Sequence, residues 1–154
     1  MDFIEKKTSF NTSRYFTRSK PQIKKYEKEK YESKLFLDDN TNRKDFGGLR
    51  YKNYYKTSLK DKPLISIITP NFKSPDLEKT IISILKQEYE NLELIIIDAD
   101  SGEETVRILK KYDDQIDLWV SEKDNGLWDG WNKGLKFANG DYKFRELGGF
   151  MLIL

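Results

Sequence analysis

"PLISIITPNFKSPDLEKTIISILKQEYENLELIIID", residues 63–98, is the stretch that decides the fold. Its two apolar runs, 64–69 and 92–98, are short and nearly continuous, which is typical of strands buried on both faces of a parallel sheet. Between them Ser74 is a predicted N-cap and Pro75 a first helical residue, and the apolar residues that follow keep a helical spacing. Strand, helix and strand at this pace predict a right-handed βαβ unit.

The alternation continues further along the chain. A second helix is predicted over 101–112, where Ser101 and Glu104 form a capping box, and a third strand over 116–120. We therefore predict an α/β fold of alternating strands and helices with a mainly parallel sheet.

A third helix is predicted within "DNGLWDGWNKGLKFANGDY", residues 124–142. It follows a turn at 124–126 and ends in a left-handed exit at 139–140. Trp128 and Trp131 fall at helical spacing on an apolar stripe, so we expect both to pack in the core.

The charge is divided unevenly along the chain. Residues 1–62 hold 17 Lys and Arg against 9 Asp and Glu, a net charge of +8, whereas the remainder carries a net charge of −6. The sequence predicts a basic, aromatic-rich N-terminal extension over 1–62 and a more acidic folded domain from residue 63 onward.

Several kinds of site are excluded by composition. Cysteine and histidine are both absent, so a disulfide, a cysteine-based zinc site and a histidine general base are ruled out. A bound metal would have to be a hard cation held by carboxylates. Neither G-x-G-x-x-G nor a P-loop occurs. No apolar stretch reaches membrane-spanning length, so we expect a cytoplasmic protein.

The extension admits more than one interpretation. Residues 23–37 are rich in helix-forming Lys and Glu and predict a marginal helix, and residues 49–55 a short extended piece that packs on the following domain. A basic arm with interleaved aromatics suits peripheral contact with the inner face of an anionic membrane, or with nucleic acid. Acidic residues are mixed through the run, which makes nucleic acid unlikely and favours an arm whose aromatics dock on their own domain.

Candidate ligand-binding residues follow the strands. In an open parallel sheet, ligands bind beyond the carboxyl ends of the strands, which here means residues 69–73, 98–101 and 122–125. The ring of Phe72 can stack on a base, and the carboxylate of Asp98 can accept from a base N–H or a ribose hydroxyl. This combination predicts a nucleoside pocket for a ligand whose phosphates are handled by a metal.

Each candidate also has a structural interpretation. Phe72 can be ordinary packing, Asp98 can cap the following helix, and Asp124 can be a turn former only. Asn132 and Lys133 lie off the apolar stripe, and their spacing leaves open whether they face solvent or the pocket.

Four segments in register resemble glycosyltransferase family 2, the inverting enzymes with a GT-A fold. They are "PLISIITPNFK", "LEKTIISILKQEYENLELIIIDADS", "ILKKYDDQIDLWVSEKDNGLWDGWNKGL" and "ANGDY". Together they span residues 63–142, about half of the chain. The resemblance implies that 63–142 is the donor-binding region, the Rossmann-like nucleotide-binding half of the GT-A fold, and that 143–154 is a divergent tail.

The resemblance implies a donor site. Pro70, Asn71 and Phe72 match the loop that holds the nucleoside, and Asp98 matches the acid that contacts the base. Asp124 and the Asn132-Lys133 step match the donor-proximal segment. The family's donor is a nucleotide-diphosphate sugar, most often a UDP-sugar, and an acceptor hydroxyl displaces the diphosphate while Mg²⁺ or Mn²⁺ stabilises it.

This sequence departs from the family pattern in three places. Asp100 stands where the family commonly has glycine, and Lys73 where asparagine is frequent. The family continues after "GDY" with an apolar strand and a metal-binding Asp-x-Asp element, but here no aspartate follows Asp141. We therefore expect a chain truncated before the metal-binding aspartates, without catalytic residues of its own and inactive alone. The alternative is a non-catalytic nucleotide-binding module that acts with a partner.

Overall fold

The computed structural model of the chain describes residues 6–9, 12–23, 33–40, 42–147 and 150–153. Eight strands and three α-helices are present in these ranges, together with a 3₁₀ turn at Leu49–Lys52. The strands are β1 (Lys6–Ser9), β2 (Thr12–Tyr15), β3 (Asp45–Gly47), β4 (Ile65–Asn71), β5 (Leu92–Asp98), β6 (Leu118–Ser121), β7 (Tyr142–Leu147) and β8 (Phe150–Ile153). The helices are α1 (Leu77–Leu85), α2 (Glu103–Lys111) and α3 (Leu127–Phe137).

Six of these strands form one sheet in the order β3-β6-β5-β4-β7-β8. The four central strands run parallel, and β3 and β8 add antiparallel edges. β1 and β2 form a separate hairpin. The predicted α/β fold with a mainly parallel sheet is confirmed.

The first predicted strand continues beyond its expected end. β4 includes Pro70, which pairs with Ile97 of β5. The register between β4 and β7 reaches only Ile68, so at Pro70 the strand has a partner on one side. A proline without an N–H donor is tolerated at such a position.

Both faces of the sheet are covered by helices. Alternate side chains divide between the faces: Ile67 packs with α1 and α2, whereas Ile68 packs with α3. β5 is buried along its whole length, which explains why its sequence is almost continuously apolar.

The predicted helix caps are wrong. α1 begins after Asp76 rather than Ser74, and α2 begins after Gly102, which has φ 112°. The hydroxyl of Ser101 instead donates to the carboxylate of Asp98 at 2.5 Å. A hydrogen bond to a buried charged group is stronger than a neutral cap, so this partner prevails over the predicted capping box.

The end of α3 also differs from the prediction. Ala138 leaves the helix in an extended conformation with ψ 117°, so no left-handed exit forms. Gly140 is needed for close approach instead, since a Cβ there would lie 2.5 Å from Ser66 Oγ. Trp131 is buried as expected, but Trp128 is 67% exposed, which corrects the prediction that both pack in the core.

Part of the N-terminal extension is built into the fold. β3 pairs with β6, and Leu49 and Tyr55 are buried. Residues 49–52 form a 3₁₀ turn rather than the expected extended piece. Most of the predicted helix at 23–37 falls on residues 24–32, outside the described residues, and residues 33–37 are not helical.

A buried ion pair attaches this segment to the sheet. Arg50 Nη2 lies 2.9 Å from Glu93 Oε2, and the two side chains are 3% and 2% exposed. The same guanidinium donates to the carbonyls of Leu35 and Phe137, and Glu93 accepts from Ser66 Oγ. One network therefore joins the extension, β4, β5 and the end of α3.

A second buried pair lies nearby. Lys56 Nζ is 2.8 Å from Asp117 Oδ2, which also accepts the backbone N–H of Leu94. Burial raises the pKa of the Asp117 carboxyl, while the Lys56 ammonium acts in the opposite direction. Both pairs lie at the amino-terminal end of the parallel strands.

Within the described ranges, no helix has the length and apolarity needed to cross a membrane.

Replacing Arg50 tests whether the extension is part of the fold. Arg50→Ala leaves Glu93 charged and buried without its partner, so we expect the free energy of unfolding to fall by about 3–5 kcal/mol in denaturant titration. Lys52→Ala is the matched control on the same 3₁₀ turn, because its pair with Asp113 is partly exposed and worth less than about 1 kcal/mol. Equal losses for the two variants would contradict a structural role for Arg50.

Candidate functional site

A cavity of about 480 Å³ opens at the carboxyl ends of the parallel strands. This volume lies in the usual range for small-molecule sites. Three loops form its walls, one after each of β4, β5 and β6. The lining residues are Pro70, Asn71, Phe72, Lys73, Ala99, Asp100, Lys123, Asp124, Gly126 and Leu127.

The buried carboxylate of Asp98 holds these loops together. Its Oδ1 accepts from Asn71 Nδ2 at 2.7 Å and from Ser101 Oγ at 2.5 Å. Its Oδ2 accepts from the backbone N–H of Ser101 at 3.0 Å and from Ser121 Oγ at 2.7 Å. Asp98 has no exposed surface, so in this structure it lies beneath the cavity and ties the ends of β4, β5 and β6 to one another.

Phe72 presents an aromatic face to the cavity. Its side chain is 65% exposed, although it follows the buried end of β4. The ammonium of Lys73 lies 5.2 Å from the ring centroid. A large exposed ring in a cavity wall is the arrangement that base stacking requires.

Two residues at this edge of the sheet differ from the common family pattern, and they have the same backbone conformation. Lys73 has φ 49° and Asp100 has φ 55°, both in the left-handed region. The family's common residues there, asparagine and glycine, adopt this region at low cost. Lys73 is held by a hydrogen bond from its backbone N–H to Ser101 Oγ at 2.7 Å. Both replacements therefore lie in the conformation that asparagine and glycine adopt most readily.

The loop after β6 forms the third wall. Asp124 Oδ1 accepts the backbone N–H of Gly126 at 2.9 Å, so Asp124 is both the predicted turn former and a lining residue. Asn132 and Lys133 are half-buried on α3 and do not line this cavity. Lys133 Nζ instead lies 3.4 Å from Glu122 and 3.6 Å from Asp129.

The structure thus gathers most of the predicted site residues at one edge of the sheet. Pro70, Asn71, Phe72 and Asp124 line the cavity, and Asp98 supports them from below. Asp100 also places a carboxylate on the cavity wall. The rule that ligands bind beyond strand ends included Asp100 among the candidates, whereas the family resemblance did not.

A second cavity of about 640 Å³ adjoins the first and shares Asp100 and Lys123 with it. Its other wall comes from the extension, including Asn40 and Lys44. Arg43 fixes this segment through a 3.0 Å ion pair with Glu122. Sequence reasoning missed this wall, because pairing between residues so distant along the chain leaves no local pattern.

Within the described ranges, no group of three acidic side chains is placed to hold the divalent metal that the family resemblance implies. β7 carries Arg145 and Glu146 near its end, and Glu146 is buried. The positive charge of Arg145 disfavours binding of a divalent cation next to the end of β7.

Comparison with known proteins identifies the family. The model of glycosyl transferase family 2 matches residues 66–144, which include every residue that lines the first cavity. The match covers half of the chain.

Two curated relatives and one solved structure are similar to this chain. An uncharacterized glycosyltransferase of Mycobacterium tuberculosis is 37% identical over 81 residues, 51% of this chain and 31% of its own length. The UDP-Glc:alpha-D-GlcNAc-diphosphoundecaprenol beta-1,3-glucosyltransferase WfgD of Escherichia coli is 36% identical over 84 residues, 53% of this chain and 33% of its own length. The mannosyltransferase PcManGT of Pyrobaculum calidifontis, in complex with GDP-Man and Mn²⁺, aligns with a TM-score of 0.46 and 22% identity, over 55% of this chain and 27% of its own. This chain spans about a third of the length of these two curated relatives.

Asp98→Asn tests whether Asp98 holds the loops together. The amide turns one acceptor into a donor that faces Asn71 or the serine hydroxyls, so we expect a loss of roughly 2–4 kcal/mol in the free energy of unfolding. Asp124→Asn is the control, because an amide oxygen can still accept from Gly126 and the site is half exposed; we expect less than about 1 kcal/mol. The role of Asp98 would be contradicted by a stable Asp98→Asn protein whose loop amides exchange no faster than those of the original.

Proposed function

Because the chain belongs to glycosyltransferase family 2, we propose that its strand-end cavity binds the nucleoside of a nucleotide-diphosphate sugar. The sugar passes to an acceptor hydroxyl in the synthesis of a polysaccharide or another glycan. The observation that carries this proposal is the exposed ring of Phe72 in the cavity wall, opposite loops that present Asp100 and Asp124.

Each wall has a role in this proposal. The base stacks on Phe72, and a carboxylate accepts from a base N–H or a ribose hydroxyl. The resemblance assigns the base contact to Asp98, but its oxygens already accept four hydrogen bonds and it has no exposed surface. We therefore assign the direct contact to Asp100, and to Asp98 the positioning of the loop that carries it.

A uridine nucleotide is the proposed donor. Two arguments support it: the family resemblance, whose usual donor is a UDP-sugar, and the Escherichia coli relative, whose name specifies UDP-Glc. The glucosyl group and the acceptor in that name remain properties of the relative.

A divalent metal supplies charge stabilisation for the departing diphosphate in the family reaction. The described residues do not gather three acidic side chains that could hold it. What they do provide is a strand-end cavity whose loops are fixed by Asp98. This observation favours a second candidate function for the 154-residue chain, a nucleotide-binding module without transfer activity of its own.

Calorimetric titration with uridine and UDP tests the nucleoside site. Phe72→Ala removes the stacking surface, which is worth about 1–3 kcal/mol per base, so we expect binding of both ligands to weaken roughly fivefold or more. Phe46→Ala is the matched control, since Phe46 is also exposed but lies on the edge strand β3 and not in the cavity wall.

The outcomes separate the two candidates. Binding without release of UDP from a UDP-sugar in the presence of Mn²⁺ identifies the binding module, and Mn²⁺-dependent release identifies the transferase. The nucleoside site itself is refuted if uridine does not bind, or if Phe46→Ala weakens binding as much as Phe72→Ala does.

A further inference from the structure

Two side chains in contact, Arg145 and Trp131, each bury a nitrogen that lacks a hydrogen-bond partner within the described part of the chain: Arg145 Nε and Trp131 Nε1. Thr69 Oγ1 and Asn139 Oδ1 are the other such atoms there. Solvent does not reach these atoms, so a ligand would meet Arg145 through the outer nitrogens of its half-buried guanidinium. This guanidinium forms no ion pair among the described residues, and a partly buried charge is costly without a partner. The unpaired charge therefore points to an anionic ligand.

The two side chains belong to one aromatic and cationic cluster. The guanidinium carbon of Arg145 lies 4.9 Å from the ring centroid of Trp131 and 5.7 Å from that of Trp128. The two indoles pack edge to face with centroids 5.0 Å apart. Contact with two rings restricts the guanidinium and stabilises its charge.

This cluster adjoins the cavity. Trp128 follows Leu127, a lining residue, in the first turn of α3. Arg145 of β7 pairs with Ile68 of β4. Ile68 lies two residues before Pro70, which lines the cavity. The guanidinium therefore lies on the α3 side of the sheet, near the same edge as the nucleoside cleft.

The chemistry of Arg145 suits an anion and opposes a metal. Its guanidinium is always charged, and its fork of N–H donors matches two phosphate oxygens. A permanent positive charge disfavours a divalent cation beside it. Lys133, a half-buried cation on α3, is already paired with Glu122 and Asp129.

We propose that Arg145, held against Trp128 and Trp131, binds a phosphate of the nucleotide and so takes the place of a divalent metal in this chain. This inference rests on the proposed nucleoside site and adds the group that recognises the phosphates.

The experiment compares uridine with UDP by calorimetry, each in EDTA and in Mn²⁺. We expect the original chain to bind UDP more tightly than uridine, equally in both buffers. Arg145→Ala should weaken UDP binding roughly 10- to 100-fold, because hydrogen bonds to charged groups are strong, and leave uridine binding within about twofold. Lys143→Ala is the matched control: it removes one positive charge from the same strand, about 7 Å farther from the carboxyl edge, and should leave both affinities unchanged.

The outcomes distinguish this inference from the proposed function. If UDP binds more tightly than uridine only in Mn²⁺, or if Arg145→Ala lowers the affinities for UDP and uridine equally, the phosphate role of Arg145 is overturned. The nucleoside site stands in either case. If neither ligand binds the original chain, both proposals fail. Arg145→Lys keeps the charge but loses the fork, so it carries the test should Arg145→Ala not fold. It should lose UDP affinity several-fold and keep uridine affinity, and unchanged UDP affinity would overturn the inference.

Discussion

The carboxylate of Asp98 is the interaction on which the site depends. It is a buried charge, and burial of a charge is costly unless it is fully hydrogen-bonded. Asn71, Ser101 and Ser121 meet this requirement, and each comes from a different strand end or loop. Satisfying one charge thus fixes three loops relative to one another, and the cavity is the space that these fixed loops leave above it.

The opposite end of the sheet is fixed by charges as well. Arg50–Glu93 and Lys56–Asp117 bury two ion pairs between the extension and the amino-terminal ends of the strands. Single replacements there are expected to be costly, because the remaining charge stays buried. The same extension supplies a wall beside the strand-end cavity, and the ion pair between Arg43 and Glu122 fixes that wall, so the extension also shapes the surface near the site.

The fold could be predicted from sequence because runs such as 92–98 are continuous apolar strands separated by helical periodicity. The position of the cavity followed from the rule for strand ends. Local detail was less predictable: Ser101 looked like a helix cap, but a buried carboxylate nearby is the stronger partner. Trp128 fitted the apolar stripe yet lies exposed in the first turn of α3. Pairs such as Arg50–Glu93 join residues far apart in sequence and leave no periodic signal.

Amide chemical shifts measured by ¹⁵N NMR during a uridine titration test most directly whether a nucleoside binds where β4, β5 and β6 end. If it binds there, we expect saturable shifts in residues 71–73, 99–100 and 123–127, with α1 on the far face unaffected. Shifts confined to the part of the second cavity that the extension forms, around Asn40 and Lys44, or no shifts at saturating uridine, would contradict it.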